Sequence, residues 1–111
     1  MKGTNLGEFE EYVMLTVAIL NDDAYGYAIQ KEFENRTKRR VNLSSIHATL
    51  FRLEEKGFIK SKMGQPTFAR GGKRKKYFSL TPFGVNTLHQ AQELRKNLWK
   101  AIPKIVLQGK A

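Results

Sequence analysis

The chain has 111 residues, of which 41% are hydrophobic, 11% aromatic and 27% charged, a balance that fits one folded domain and excludes a low-complexity segment. It has no cysteine and only two histidines, His47 and His89, which excludes disulfides, thiolate metal centres and a convincing histidine metal site. The formal net charge of +10 is segregated: residues 1–37 carry three Lys/Arg against seven Asp/Glu, whereas residues 38–111 carry seventeen Lys/Arg against Glu54, Glu55 and Glu93. An acidic head on a basic body points to a polyanionic partner.

In LGEFEEYVMLTVAIL, Leu6, Phe9, Val13, Val17 and Leu20 recur at steps of three and four, which predicts an amphipathic helix. Met14, Leu15 and Ile19 widen its apolar surface beyond one face, so burial on two sides is expected. Asn21, Asp22 and Asp23 are candidate caps for a second helix carrying Tyr25, Ala28, Ile29 and Phe33 and ending near Thr37. After the basic triplet Lys38, Arg39 and Arg40, Asn42 is placed to cap a third helix, with Ile46, Leu50 and Leu53 as its apolar stripe and Gly57 as its stop. FIKSKM and KKYFSL read as two strands joined by the Gly-rich stretch 64–75, a hairpin with a long tip. Thr81 and Pro82 open a last helix, where Leu88, Ala91, Leu94, Leu98, Ile102 and Ile105 form a seam close to a coiled-coil repeat until Pro103 kinks or ends it. No apolar run reaches the roughly 18–20 residues of a membrane span, and acids come early, so a cytoplasmic chain with no membrane partner is expected.

The expected fold is mainly α with a small β-hairpin, in the order of a winged helix-turn-helix followed by a long C-terminal helix. On a wheel set by Ile46, Leu50 and Leu53, the side chains of Ser44, Ala48, Phe51 and Arg52 face outward, flanked by Ser45 and His47. Small residues there permit close approach to a major groove, and Arg52 can reach phosphate or a guanine edge. A plain amphipathic surface helix has the same pattern. For His47 a core or surface histidine is the commoner case. For Phe51, packing on a neighbouring element is the ordinary account, and contact with sugar or a thymine methyl is the alternative.

Arg70, Lys73, Arg74, Lys75 and Lys76 fall within seven residues around Gly71 and Gly72. Such runs are usually just solvated, but at a hairpin tip near a candidate recognition helix they suit phosphates. Trp99 and Tyr12 fit simple packing or a pocket for a flat ligand. No nucleophile-elbow, zinc-protease, Walker or dinucleotide pattern occurs, and the adjacent acids diverge on a helix or act as caps, so neither an enzyme nor a cofactor is expected.

The blocks LGEFEEYVMLTVAIL, DDAYGYAIQKEFE, LSSIHATLFRLEEKGFI and GGKRKKYFSLTPFG, in this order over roughly residues 6–88, resemble the PadR-like family of bacterial transcriptional regulators. The resemblance implies a homodimeric winged helix-turn-helix, usually a repressor, that binds a near-palindromic double-stranded DNA operator and often releases it on binding a small aromatic effector. Residues 1–81 are then the DNA-binding domain and 82–111 the dimerisation helix packed on the same domain. DNA would be met by Arg39 and Arg40, by Ser44, Ser45, His47, Ala48 and Arg52 on helix 43–56, by Arg70, Lys73, Arg74, Lys75 and Lys76 in a wing spanning about 64–76, and by Tyr77 in its returning strand. The dimer interface or effector pocket would draw on Phe9, Tyr12, Val13, Met14, Leu94, Leu98, Trp99 and Ile102. Family members commonly have Tyr where this chain has His47, so an imidazole replaces a phenol. Two alternatives stay open: a basic RNA- or ribosome-associated interaction protein, and a small-molecule sensor without DNA function.

Overall fold

The computed structural model describes residues 6–65 and 74–109. In chain order they form α1 (Glu8–Leu20), a 3-10 turn (Asn21–Asp23), α2 (Gly26–Thr37), α3 (Leu43–Glu55), β1 (Ile59–Met63), β2 (Lys76–Leu80), α4 (Pro82–Lys100) and α5 (Lys104–Leu107). This is the expected winged helix-turn-helix: three helices, an antiparallel hairpin and a long last helix. The apolar stripes meet in one core, where Val13, Met14 and Val17 of α1 join Ile29 and Phe33 of α2, Ile46, Leu50 and Leu53 of α3, and Phe58, Ile59 and Phe78 around the hairpin. Phe9 closes it edge-on against Phe33, with ring centroids 5.2 Å apart.

Both ends of α3 are fixed by the residues that sequence patterning singles out. The Asn42 carboxamide oxygen accepts from the Ser45 amide at 2.8 Å, satisfying one of the free donors of the first turn. At the other end Gly57 has φ +83°, and the amides of Gly57 and Phe58 donate to the carbonyls of Glu54 and Leu53, each at 3.0 Å. That pairing is a Schellman stop, and it needs a residue without a Cβ in the left-handed region. The turn between α2 and α3 is held by α2 itself. Gln30 donates to the Val41 carbonyl at 2.8 Å, and Glu34 accepts from the Val41 amide at 3.0 Å.

The start of α2 departs from the sequence-based expectation. Asn21, Asp22 and Asp23 do not cap it but make their own 3-10 turn, and α2 begins at Gly26 after an extended Tyr25. The cause is tertiary: Tyr25 forms an antiparallel bridge with Tyr77, and the Phe78 amide donates to the Ala24 carbonyl at 2.8 Å. Residues 24 and 25 are thereby held as a minimal third strand beside the hairpin, whose register runs from Ile59 opposite Leu80 to Met63 opposite Lys76.

Thr81 joins the hairpin to α4. Its hydroxyl oxygen accepts from the Gly84 amide at 2.9 Å, and its own amide donates to the Phe58 carbonyl at 3.0 Å. Gly84 and Thr87 are buried and Leu88 packs on the core, but from residue 92 onward α4 is exposed throughout. The result is elongated, 60 × 31 × 20 Å with a radius of gyration of 17.0 Å. A compact chain of this length would have about 13 Å. The helix ends at Lys100, and Pro103 stands before the short α5, so the break falls where proline places it. Among the described residues no helix is long and apolar enough to cross a membrane.

Candidate nucleic-acid interface

Burial of Ile46, Thr49, Leu50 and Leu53 fixes the rotation of α3, leaving Ser44, His47 and Ala48 on its exposed side. Ser45 is half-buried and its amide is spent on the cap, while the Ser44 hydroxyl donates to Asn42 at 2.8 Å. The His47 imidazole lies against the start of α2, so close that a Cβ on Gly26 would stand 2.6 Å from its Cε1. Gly26 therefore sets where His47 sits. Phe51 is largely exposed and makes no ring–ring or cation–ring contact among the described residues.

The acids of α1 redirect several of the cations assigned to DNA. The Arg39 guanidinium pairs with Glu8 at 3.2 Å and lies over the rings of Tyr12 and Phe33, 5.9 and 5.8 Å from their centroids. Arg52 pairs with Glu10 at 3.4 Å and donates to the Thr49 hydroxyl at 3.2 Å. Both side chains stay about half exposed, and the helical wheel that points Arg52 outward does not show its ion pair with Glu10 on α1. Lys56 completes the cluster, donating to both Glu10 oxygens at 3.0 Å. Arg40 is exposed and has no ion pair among the described residues.

Burial alone would raise the Glu10 pKa, but hydrogen bonds from Lys56, the Gly7 amide and Arg52, with the Lys56 charge, bring it below the ordinary 4.5. A depressed carboxylate adds stability that is fully present above the ordinary value and lost as pH falls through the lowered one. We therefore expect Glu10→Gln to cost about 0.5–1 kcal/mol at neutral pH. Urea unfolding should show that gap closing as pH falls below the ordinary carboxylate value, and a gap that persists in acid would rule out the ion pairs as its source.

In the hairpin, Arg74, Lys75 and Lys76 are exposed, whereas Arg70, Lys73 and the rest of the tip lie outside the described residues. The Lys75 ammonium sits 4.1 Å from the Tyr25 ring centroid, and that of Lys76 lies 5.8 Å from that of Phe78. Tyr77 braces the hairpin against residue 25. Half-buried, it meets Tyr25 edge-on at 5.7 Å and covers Gly64, where a Cβ would stand 2.6 Å from its Cε1. Tyr25, Gly26, Gly64 and Glu10 carry no local signal, because each acts through a residue distant in sequence.

On the opposite side α1 and α4 form an open groove lined by Glu11, Tyr12, Leu15, Ala18, Leu80, Val85, Leu88, His89, Gln92 and Arg95. Buried Glu11 accepts from Arg95 at 2.6 Å, tying the middle of α4 to α1. Of the residues assigned to an interface or pocket, Val13 and Met14 are fully buried in this chain's own core and Phe9 is packed on Phe33. They offer no surface because the apolar band of α1 is taken up on that side by α2 and α3. Leu94, Leu98 and Trp99 are exposed on α4, Ile102 is half-buried, and Tyr12 is half-buried between the groove and Arg39. Among the described residues there is no group of three or more potential metal ligands.

Comparison with known proteins gives this geometry a family. Residues 14–90 match the model of the transcriptional regulator PadR-like family. A transcriptional regulator from Clostridium thermocellum is 29% identical, with 88% of this chain and 90% of that one covered and a TM-score of 0.66. A PadR family transcription regulator from Clostridium difficile is 30% identical, with 93% and 99% covered and a TM-score of 0.61. An uncharacterized protein of Lysinibacillus sphaericus is 36% identical over 90 residues, which span 79% of this chain and 76% of that protein. Since the family match takes in most of the winged helix-turn-helix and the first turns of α4, the chain belongs to the PadR-like family of DNA-binding transcriptional regulators.

Proposed function

We propose that the protein is a homodimeric, sequence-specific repressor in which α3 enters the major groove of a palindromic operator and the wing follows the phosphates. The observation that carries this reading is the exposed face of Ser44, His47 and Ala48 on a helix locked at both ends, together with Arg40, which has no ion pair among the described residues, and the exposed hairpin cations Arg74, Lys75 and Lys76. Phosphate contacts position such a module and base contacts specify it, and that is the division expected between hairpin and helix. The bare stripe of Leu94, Leu98 and Trp99 supports dimerisation through residues 82–111 against α1 of a second copy. The groove beside Tyr12 supports release by a small aromatic effector, which an apolar lining with a few polar groups would suit.

Selection from a random duplex pool should recover a palindrome with half-site centres about one helical turn apart. With roughly six to ten phosphate contacts per dimer, log affinity should fall with log salt at a slope of about −5 to −9. No enrichment, with RNA duplex competing equally, would give the place to an RNA-associated protein.

A further inference from the structure

We propose that Phe51 reads the 5-methyl group of thymine on the floor of the major groove. The assignment rests on the proposed entry of α3 into that groove. Phe51 is 63% exposed and has no aromatic or cation partner among the described residues. It lies on one line of α3 with Ser44 and Ala48, seven and three residues before it, and Glu55, four after it, on the side opposite the buried stripe. The N-terminal part of that line is small and polar, so Phe51 is the first side chain on it that projects well beyond the helix.

Arg52, the neighbouring residue that sequence alone favours for base readout, is drawn onto Glu10 and Thr49. At this level the face therefore presents a ring rather than a guanidinium. A backbone contact suits neither Phe51 nor the exposed acid Glu55 one turn on, because phosphates repel a carboxylate and gain little from a phenyl ring. Base edges suit both, since a carboxylate accepts from the cytosine amino group and the thymine methyl is the apolar feature of the major-groove edge. Neither does a second copy on the α1–α4 groove compete for Phe51, because that ring does not line the groove.

The test uses the full chain and an operator selected from random duplexes, with each thymine replaced in turn by deoxyuridine, which deletes only the methyl. One thymine per half-site should be sensitive, with binding weakened about fourfold for each methyl removed, the scale of one buried methyl group. Phe51→Ala should bind the thymine operator more weakly and lose the thymine over deoxyuridine preference, with an unchanged circular dichroism spectrum. Parent protein indifferent to every deoxyuridine would overturn the assignment and leave the operator reading standing, as would Phe51→Ala that keeps the preference. Failure of the parent protein to select any sequence would overturn both.

Discussion

Replacing Gly84 with alanine is expected to lower the melting temperature by about 12 °C or more. A Cβ at this position would stand 2.0 Å from the Phe58 carbonyl oxygen and 2.9 Å from its carbonyl carbon, and both are backbone atoms. That carbonyl has no freedom to retreat. It accepts from the Thr81 amide at 3.0 Å, the neighbouring Gly57 carbonyl accepts from the Thr81 hydroxyl at 2.7 Å, and the Phe58 ring is buried and stacked on Phe83 at 5.1 Å. The remaining response is to push α4 off the hairpin, at an overpacking cost of about 3 kcal/mol or more. Gly7→Ala is the control, since nothing lies within 4 Å of a Cβ there, and it should move the transition far less. Thermal unfolding followed by circular dichroism measures both, and an unchanged midpoint for Gly84→Ala would mean that α4 reseats without loss.

The second large effect concerns association. Leu94 and Leu98 are 60% and 62% exposed, one turn apart on the projecting half of α4. In the proposed dimer, Leu94→Glu combined with Leu98→Glu brings four carboxylates into one apolar seam, where each would lose its hydration without gaining a partner. Sedimentation should then show a monomer, and affinity for the two-half-site operator should fall by about 100-fold or more as the second half-site contact ceases to be intramolecular. The core formed by α1, α2, α3 and the hairpin is complete within one chain, so the variant should keep its helical spectrum. Unchanged operator affinity in a folded variant would count against dimerisation through this helix.

What could be read from sequence follows the range over which each force acts. The stripe of Ile46, Leu50 and Leu53, the Asn42 cap, the Gly57 stop and the Thr81–Pro82 start all depend on neighbours within a turn or two, and each is found in place. The start of α2 was not legible, because Asn21, Asp22 and Asp23 have cap chemistry and only the pairing of Tyr25 with Tyr77 overrides it. Residue directions were legible and destinations were not. A wheel places the Cβ of Arg52, yet its long side chain ends on whichever carboxylate is near, and that is Glu10 on another helix. Val13 and Met14 fail for a related reason, since an apolar band of two-sided width does not say which side its own chain will cover. For Arg70 and Lys73 the argument stays at the level of the sequence run.

The carboxylates of Glu8, Glu10 and Glu11 claim Arg39, Arg52, Lys56 and Arg95, so the positive body is neutralised along the flank formed by α1. Excess positive charge is left at Arg40 and the hairpin, with more at Lys96, Lys100 and Lys104 along the projecting helix and α5, so the flank of α1 is the electrically quiet side. A uniformly basic particle would collide with a polyanion in any orientation and would then have to search for the right one. A polarised one is turned during its approach, so its charge pattern acts on the association rate before any contact forms.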